Sequence, residues 1–310
     1  MKKIFYPLLA CSCLSIFSFG AIAFNEKSNI SQQQLNQQSL LSINWMQQSG
    51  EYRALAYQAF NMAKLAFDTA QTKNIANPTV IVDLDETILD NSPYQASLIG
   101  TDQEFNSKTW NQWILAEQTK AIPGAVEFVN YVNANGGKVF FISNRNESST
   151  NNSTHNDLEI ATMNNMLKLA FTGVSEETLL LKGEFSKLIE KKEDTSKQWR
   201  REAIINGLVD GSKHNIVVLL GDNLNDFEEI ETNNNQSRKE FVDQTISQQG
   251  LFVVTNQGFK PAYISLPNPM YGDWENGLYD SQQFGKKSIK DLTPEEKTIQ
   301  RKQFLIKWQK

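Results

Sequence analysis

Cysteine is almost missing from this chain: of 310 residues only Cys11 and Cys13 are cysteines, and both lie in an apolar N-terminal stretch. Once that stretch is removed, neither a disulfide nor thiol chemistry remains available. Histidine is as scarce, and His155 and His214 fall in no motif and read as surface-loop residues. There is no Lys/Arg block or basic stripe, and the formal charge is -5, which argues against a nucleic-acid polymer as partner. No internal repeat is found. The remainder is ordinary globular composition, 40% hydrophobic and 21% charged, in a chain long enough to bury a core without staples.

The N-terminus reads as an export signal. Lys2 and Lys3 precede the apolar run from Ile4 to Phe19, and Ala21-Ile22-Ala23 offers a small-x-small cleavage site with a mature start near Phe24. A transmembrane anchor would need roughly 20 apolar residues, and this stretch is shorter and interrupted by Pro7. Leu8-Leu9-Ala10-Cys11 is a poor lipobox, and lipidation of Cys11 is the alternative that would tie the chain to a membrane. The expected organisation is a signal peptide over 1–23, a loose, Gln-rich polar lead-in over 24–40, and one enzymatic domain over 41–310. Its expected location is periplasmic or secreted.

From Ser42 to Gln71 apolar residues recur at helical spacing, which predicts one or two amphipathic helices. Short runs rich in Val, Ile, Phe and Leu follow: Val80 to Val82, Val139 to Ile142, Ile216 to Leu220 and Leu251 to Val254, with Leu179 to Leu181 as a fifth. Helical patterns lie between them, over Gly124 to Asn135, Asp157 to Ala170, Trp199 to Asn206 and Asp226 to Val242. Apolar strands alternating with helices predict an α/β fold around a Rossmann-like parallel sheet. Residues 92–122 are too long for a simple connection, and with about 41–75 they are expected to form a smaller helical cap. Asn146 to Asn156 and Asn233 to Ser237 read as loops.

Ligands bind parallel sheets at the carboxyl ends of the strands. Three polar clusters sit there: Asp83-Leu-Asp85 after the first run, Ser143-Asn144-Arg145 after the second, and Gly221-Asp222-Asn-Leu-Asn-Asp226 after Leu220. At a strand end two carboxylates two residues apart can diverge, one to attack phosphorus and the other to handle the leaving group's proton. A helix cap would explain one such Asp, not two directly after three β-branched residues. Hard carboxylate oxygens suit Mg²⁺, which Asp83, Asp222 and the backbone carbonyl of Asp85 could hold, with Asp226 in support. Ser143 offers a hydroxyl to phosphoryl oxygens. A lysine must add a positive charge, and the residues leave Lys182 and Lys197 both open.

These residues resemble the class C acid phosphatases, the bacterial 5′-nucleotidase lipoprotein family, in the four-aspartate branch of the haloacid dehalogenase (HAD) superfamily. The likeness spans roughly residues 45 to 280. It is carried by Asp83 to Tyr94, Ile122-Pro-Gly-Ala-Val-Glu-Phe, Gly137 to Arg145 and Leu266-Pro-Asn-Pro-Met-Tyr-Gly-Asp-Trp-Glu275. It implies Asp83 as nucleophile, Asp85 as acid and then base, Ser143 and Asn144 on the phosphoryl group, and Lys197 rather than Lys182 as the lysine. Trp110 and Tyr271 occupy the places of aromatic residues that grip the leaving group, whereas Trp113 reads as core. The implied activity is Mg²⁺-dependent hydrolysis of phosphomonoesters, nucleoside monophosphates among them. The competing reading from another class is a surface nucleotide- or haem-binding protein with weak phosphatase activity. Asp85 argues against dehalogenase chemistry, which has no alkoxide leaving group to protonate.

Overall fold

The computed structural model describes residues 30–150, 156–182 and 196–309. The expected signal peptide with its Ala23 and Cys11 alternatives, residue His155, and the stretch from Gly183 to Glu193 lie outside them. In chain order the elements are α1 (Gln32–Gln37), α2 (Leu40–Gln48), α3 (Gly50–Thr72), β1 (Pro78–Val82), β2 (Leu89–Asp90), α4 (Ser92–Leu98), α5 (Ser107–Leu115) and β3 (Lys120–Ala121). Then come α6 (Ala125–Ala134), β4 (Lys138–Asn146), α7 (Asp157–Lys168), β5 (Leu179–Lys182), α8 (Gln198–Asn206), β6 (Asn215–Gly221) and α9 (Asn235–Gln244). The hairpin β7 (Val253–Thr255) and β8 (Gly258–Lys260), the strand β9 (Ala262–Ser265), α10 (Asp273–Asn276) and α11 (Pro294–Gln303) complete it. Among the described residues no helix is long and apolar enough to cross a membrane.

The expected α/β fold is present. Five strands form one parallel sheet in the order β5-β4-β1-β6-β9. The chain builds from β1 outward through β4 and β5, then crosses back to lay β6 on the other side of β1. Strand order therefore reverses at β1, and the crevice above its carboxyl end is where such sheets bind ligands.

Alternation along the strands feeds two cores. Val80, Val82, Val139, Phe141, Leu179 and Leu181 face α3 and α6. Ile81, Phe140, Ile142, Leu180 and Leu219 face α8 and the stacked pair Phe227 and Tyr263. In β6 the alternation slips, since Val217 and Val218 both join the first core; the β1–β6 register shifts at Thr79/Val80, which absorbs the extra residue. Helix α3 lays Ala56, Phe60, Ala63, Phe67 and Ala70 along one stripe, the small residues letting it close on the sheet. Gly137 is required beneath it, because a Cβ there would sit 2.6 Å from both the Phe67 ring and Val132.

The structure corrects several expectations. The lead-in is not loose throughout: Ser31 and Gln34 form a capping box for α1, which buries Leu35. A polar composition hid this helix because its amides bond outward, as when Asn36 Nδ2 donates to the carbonyls of Thr101 and Gln103 at 3.0 and 2.7 Å. The run Leu251 to Val254 does not join the sheet; its end forms an antiparallel hairpin, and the edge strand is β9 instead. The helix expected over Asp226 to Val242 begins only at Asn235, where Asn234 caps two backbone amides. The expected cap is divided: α2 and α4 share a small cluster with Tyr52, while α3 from Ala56 onward covers the sheet.

His214 is buried rather than a surface residue. Its ring bridges Thr79 Oγ1 at 2.9 Å and Asp210 at 3.0 Å, edge-on to Phe140, at the pole opposite the strand-end clusters.

Phe67→Ala is expected to destabilise the protein by about 3–5 kcal/mol in denaturant unfolding, the cost of a large buried cavity. Leu41→Ala, at a position 80% exposed, should change stability by less than about 0.5 kcal/mol.

Candidate active site

Strand β1 delivers Asp83 to the crevice, where its N–H donates to Leu220 O at 3.0 Å and so continues the pairing with β6. Past it the chain doubles back: the Ile88 and Leu89 amides donate to Leu84 O at 2.9 and 2.8 Å, with Glu86 at φ 58°. The turn sends the two carboxylates to different partners. Asp83 meets the Lys197 ammonium and accepts from Thr87 Oγ1 at 3.3 Å. Asp85 is gripped by Arg145, whose Nη2 donates at 2.6 Å and Nε at 3.0 Å, and by Asn91 Nδ2 at 2.8 Å.

Lys197 lies at the start of α8, buried, and its ammonium also pairs with Asp226 Oδ1 at 2.6 Å. Asp226 Oδ2 accepts the Asn223 N–H at 3.0 Å in a single 3-10 turn. That turn folds back so closely that a Cβ on Gly221 would lie 2.1 Å from Asp226 Oδ2, so residue 221 must be glycine. Asp222 Oδ2 accepts from Asn268 Nδ2 at 2.8 Å. Lys182 ends the edge strand β5, two strands from β1, and Lys197 alone of the two reaches the aspartates.

Carboxylate oxygens of Asp83, Asp222 and Asp226 all lie within 4.8 Å of one another. Three carboxylates there face one ammonium. Burial pushes the Asp83 carboxyl up to about 7, against the pull of Lys197. Burial, then the Asp226 and Asp83 charges, drive Asp222 well above the ordinary carboxylate range. Burial alone would lower Lys197, but Asp226 and Asp83 outweigh it and hold the ammonium charged. This uncompensated negative charge, on oxygen donors only, fits a hard divalent cation. Asp226 is nearer the cluster than a purely supporting residue would be, while the Asp85 side chain is committed elsewhere.

A cleft of about 730 Å³ opens over these groups, lined by Asp83, Asp85, Ser143, Asn144, Lys197 and Asp222 among others. Ser143 is buried, its Oγ accepting the Arg145 N–H at 3.1 Å and lying 3.5 Å from Asp85 Oδ2. Asn144 is exposed, its Oδ1 held by Arg200 Nη2 at 2.6 Å, while Arg200 Nη1 donates to Ser143 O at 2.5 Å. Tyr271 also lines the cleft and donates its hydroxyl to Glu86. Trp110 does not line it; it packs edge-on to Tyr94 at 5.1 Å, with the Arg145 guanidinium 5.8 Å from its ring.

Four supporting groups had no individual role in the sequence reading. Arg145 follows Ser143 by two residues on β4, so both project from one face, a spacing that could have signalled it. Asn91 holds both Asp85 and buried Glu86, and Trp113 Nε1 donates to Asn91 Oδ1 at 2.8 Å. Trp113 thus has a positioning contact beyond core packing. Arg200 and Asn268 carry no sequence signal of this kind, because their partners are distant in the chain.

A parallel sheet with aspartates at the switch point, a lysine across from them and a carboxylate-lined cation site defines a HAD-type phosphomonoester hydrolase. Residues 9–274 match the model of the family described as HAD superfamily, subfamily IIIB (acid phosphatase), and the chain belongs to that family. It is similar to the class C acid phosphatase from Bacillus anthracis, with 32% identity and a TM-score of 0.70 over 89% of this chain and 99% of that one. A second structure of the class C acid phosphatase from that organism, with tungstate bound, matches equally and over its full length.

A carboxyl whose folded-state pKa is raised binds an extra proton when folded, so its stabilising effect is present at low pH and lost as pH rises. For Asp83 the window runs from roughly 4, the unfolded value, to about 7. In EDTA the Tm is therefore expected to fall between pH 5 and 7.5, on the order of 1 kcal/mol per pH unit from this group. Adding a divalent cation should raise Tm more at pH 7.5 than at pH 5; the reverse order would contradict the cation site.

Proposed function

We propose that this protein is an exported, Mg²⁺-dependent acid phosphatase that hydrolyses phosphomonoesters, 5′-nucleotides among them, through an aspartyl phosphate on Asp83. The observation that carries this reading is the parting of the two carboxylates, Asp83 into the acidic cluster with Lys197 and Asp85 onto Arg145 and Asn91. A site kept only for binding would not need a second carboxylate aimed by its own guanidinium. Asp83, Asp222 and the Asp85 carbonyl would hold Mg²⁺, with Asp226 in the same carboxylate cluster and paired with Lys197; the cation would lower the repulsion between Asp83 and a phosphoryl dianion.

Asp83 attacks phosphorus, and the bond from phosphorus to the leaving oxygen breaks. Asp85 gives its proton to that oxygen, then takes one from the water that attacks the aspartyl phosphate, which releases phosphate and restores both groups. Asn91 and Arg145 Nη2 hold Asp85 Oδ1 at 2.8 and 2.6 Å, while Oδ2 accepts only the longer bonds from Arg145 Nε at 3.1 Å and Ser143 Oγ at 3.5 Å, so Oδ2 is the more open oxygen for the proton. Ser143, Asn144 and Lys197 hold the phosphoryl oxygens. Tyr271 contacts the base or other leaving group, and Trp110, outside the cleft, backs the Arg145 guanidinium. The N-terminal pattern over 1–23 supports export, with cleavage after Ala23.

Asp83→Asn is expected to lower turnover of p-nitrophenyl phosphate by at least about 10³-fold, and EDTA to abolish it until Mg²⁺ is restored. Near-normal turnover by the variant would sink the mechanism. Across 5′- and 3′-nucleotides, nicotinamide mononucleotide and sugar phosphates, phosphate release should favour 5′-nucleotides, and Trp110→Ala or Tyr271→Ala should narrow that preference. Equal rates on sugar phosphates in the wild type would remove the aromatic grip.

A further inference from the structure

A second cavity of about 600 Å³ adjoins the catalytic cleft, and Tyr271 lines both. Its far wall comes from α11 and the segment before it, residues outside the 9–274 matched to the family. That wall is built rather than incidental. Arg301 Nε donates to the Tyr279 hydroxyl at 2.8 Å and Nη1 to Gln38 Oε1 at 2.8 Å, while Nη2 pairs with Glu275. Gln38 in turn donates to Thr298 Oγ1 at 2.8 Å, so α11 is fastened to α1 across the whole length of the chain. Asn36 of α1 holds the loop that brings Glu104 and Phe105 to the opposite rim.

The charges of the lining do not cancel. Arg301 neutralises Glu275, which leaves Lys290 and Lys297 against the exposed Glu104. Lys297 sits one helical turn before Arg301, half-buried and on the same face, and among the described residues its ammonium has no acidic partner. A half-buried ammonium in a cavity that shares Tyr271 with the catalytic cleft is suited to an anion carried by the same substrate.

We propose that this cavity takes the alcohol half of the substrate, and that Lys297, with Lys290, holds a second phosphate borne on that half. The inference rests on the phosphatase reading and deepens it. The substrate class is a phosphomonoester whose leaving alcohol carries another phosphate, as in a nucleoside 3′,5′-bisphosphate or a 5′-phosphorylated dinucleotide. Lys297 is a specificity residue, remote from the reacting atoms.

The test compares kcat/KM of wild type, Lys297→Ala and Lys297→Arg on p-nitrophenyl phosphate, 5′-AMP, adenosine 3′,5′-bisphosphate and the dinucleotide pApA, following loss of the 5′-phosphate by chromatography. Lys297→Ala should lower kcat/KM about tenfold on the substrates with a second phosphate, through KM. It should leave p-nitrophenyl phosphate and 5′-AMP within about twofold, and Lys297→Arg should restore most of the loss. A drop confined to the bisphosphate places the second anion on the ribose, and one confined to pApA places it on a neighbouring nucleotide. An equal drop on all four, or none on any, overturns the proposal. If the wild type hydrolyses none of them, the phosphatase reading falls by itself. Equilibrium binding of adenosine 3′,5′-bisphosphate then decides the subsite: weaker binding by Lys297→Ala supports it, and unchanged binding overturns it.

Discussion

The Lys197 ammonium, buried between Asp83 and Asp226, ties the two halves of this site together. Asp83 arrives on β1 and Asp226 on the turn after β6, and without a cation between them these carboxylates would repel in a medium that screens poorly. Lys197 itself stands at the start of α8, whose apolar side packs on the sheet through Ala203 and Ile204. Packing of that helix therefore sets where the ammonium lies. One positive charge still leaves the cluster short by two, a deficit that a divalent cation would fill and that, with burial, makes the acids there resist ionisation.

Around this charge cluster the supporting contacts are divided by function. On the Asp85 side, Arg145 comes from β4 and Asn91 from the loop before α4, and Trp113 of α5 fixes Asn91 in turn. On the Asp222 side, Asn268 and the Gly221 close approach hold the turn that carries the acids. Tyr271 joins the sides through Glu86, a carboxyl driven well above its ordinary range by burial and by Asp85. The segment after β9 thus reaches back over the first strand. It also carries part of the wall of the second cavity, so the catalytic cleft and that cavity share one stretch of backbone.

Much of this was legible in residue patterns. Runs such as Val80 to Val82 and Val139 to Ile142 read as buried strands because parallel strands bury both faces. Local patterns misled where context outweighed them. Leu251 to Val254 is apolar, yet it turns into a hairpin, and Ala262 to Ser265, with less apolar character, takes the sheet edge. Gln-rich α1 was hidden because its contribution is one buried Leu35 and a set of amide hydrogen bonds. His214 was misread for the same reason: its partners Thr79 and Phe140 are far away in sequence.

By itself the sequence determined the chemistry on offer: two aspartates ending one buried strand, a serine ending another, an acidic turn ending a third, and no thiol beyond the N-terminal stretch. These follow from strand periodicity and the rule that strand ends face the ligand, both local. Only the tertiary structure decided which partner each group has. It set Lys197, the lysine the family resemblance favours, between Asp83 and Asp226, gave Arg145 to Asp85, drew Asp226 into the carboxylate cluster, and set Trp110 behind Arg145 rather than in the cleft. Those pairings depend on strand order and helix packing, which bring together residues as distant in the chain as Tyr271 and Glu86, 185 positions apart.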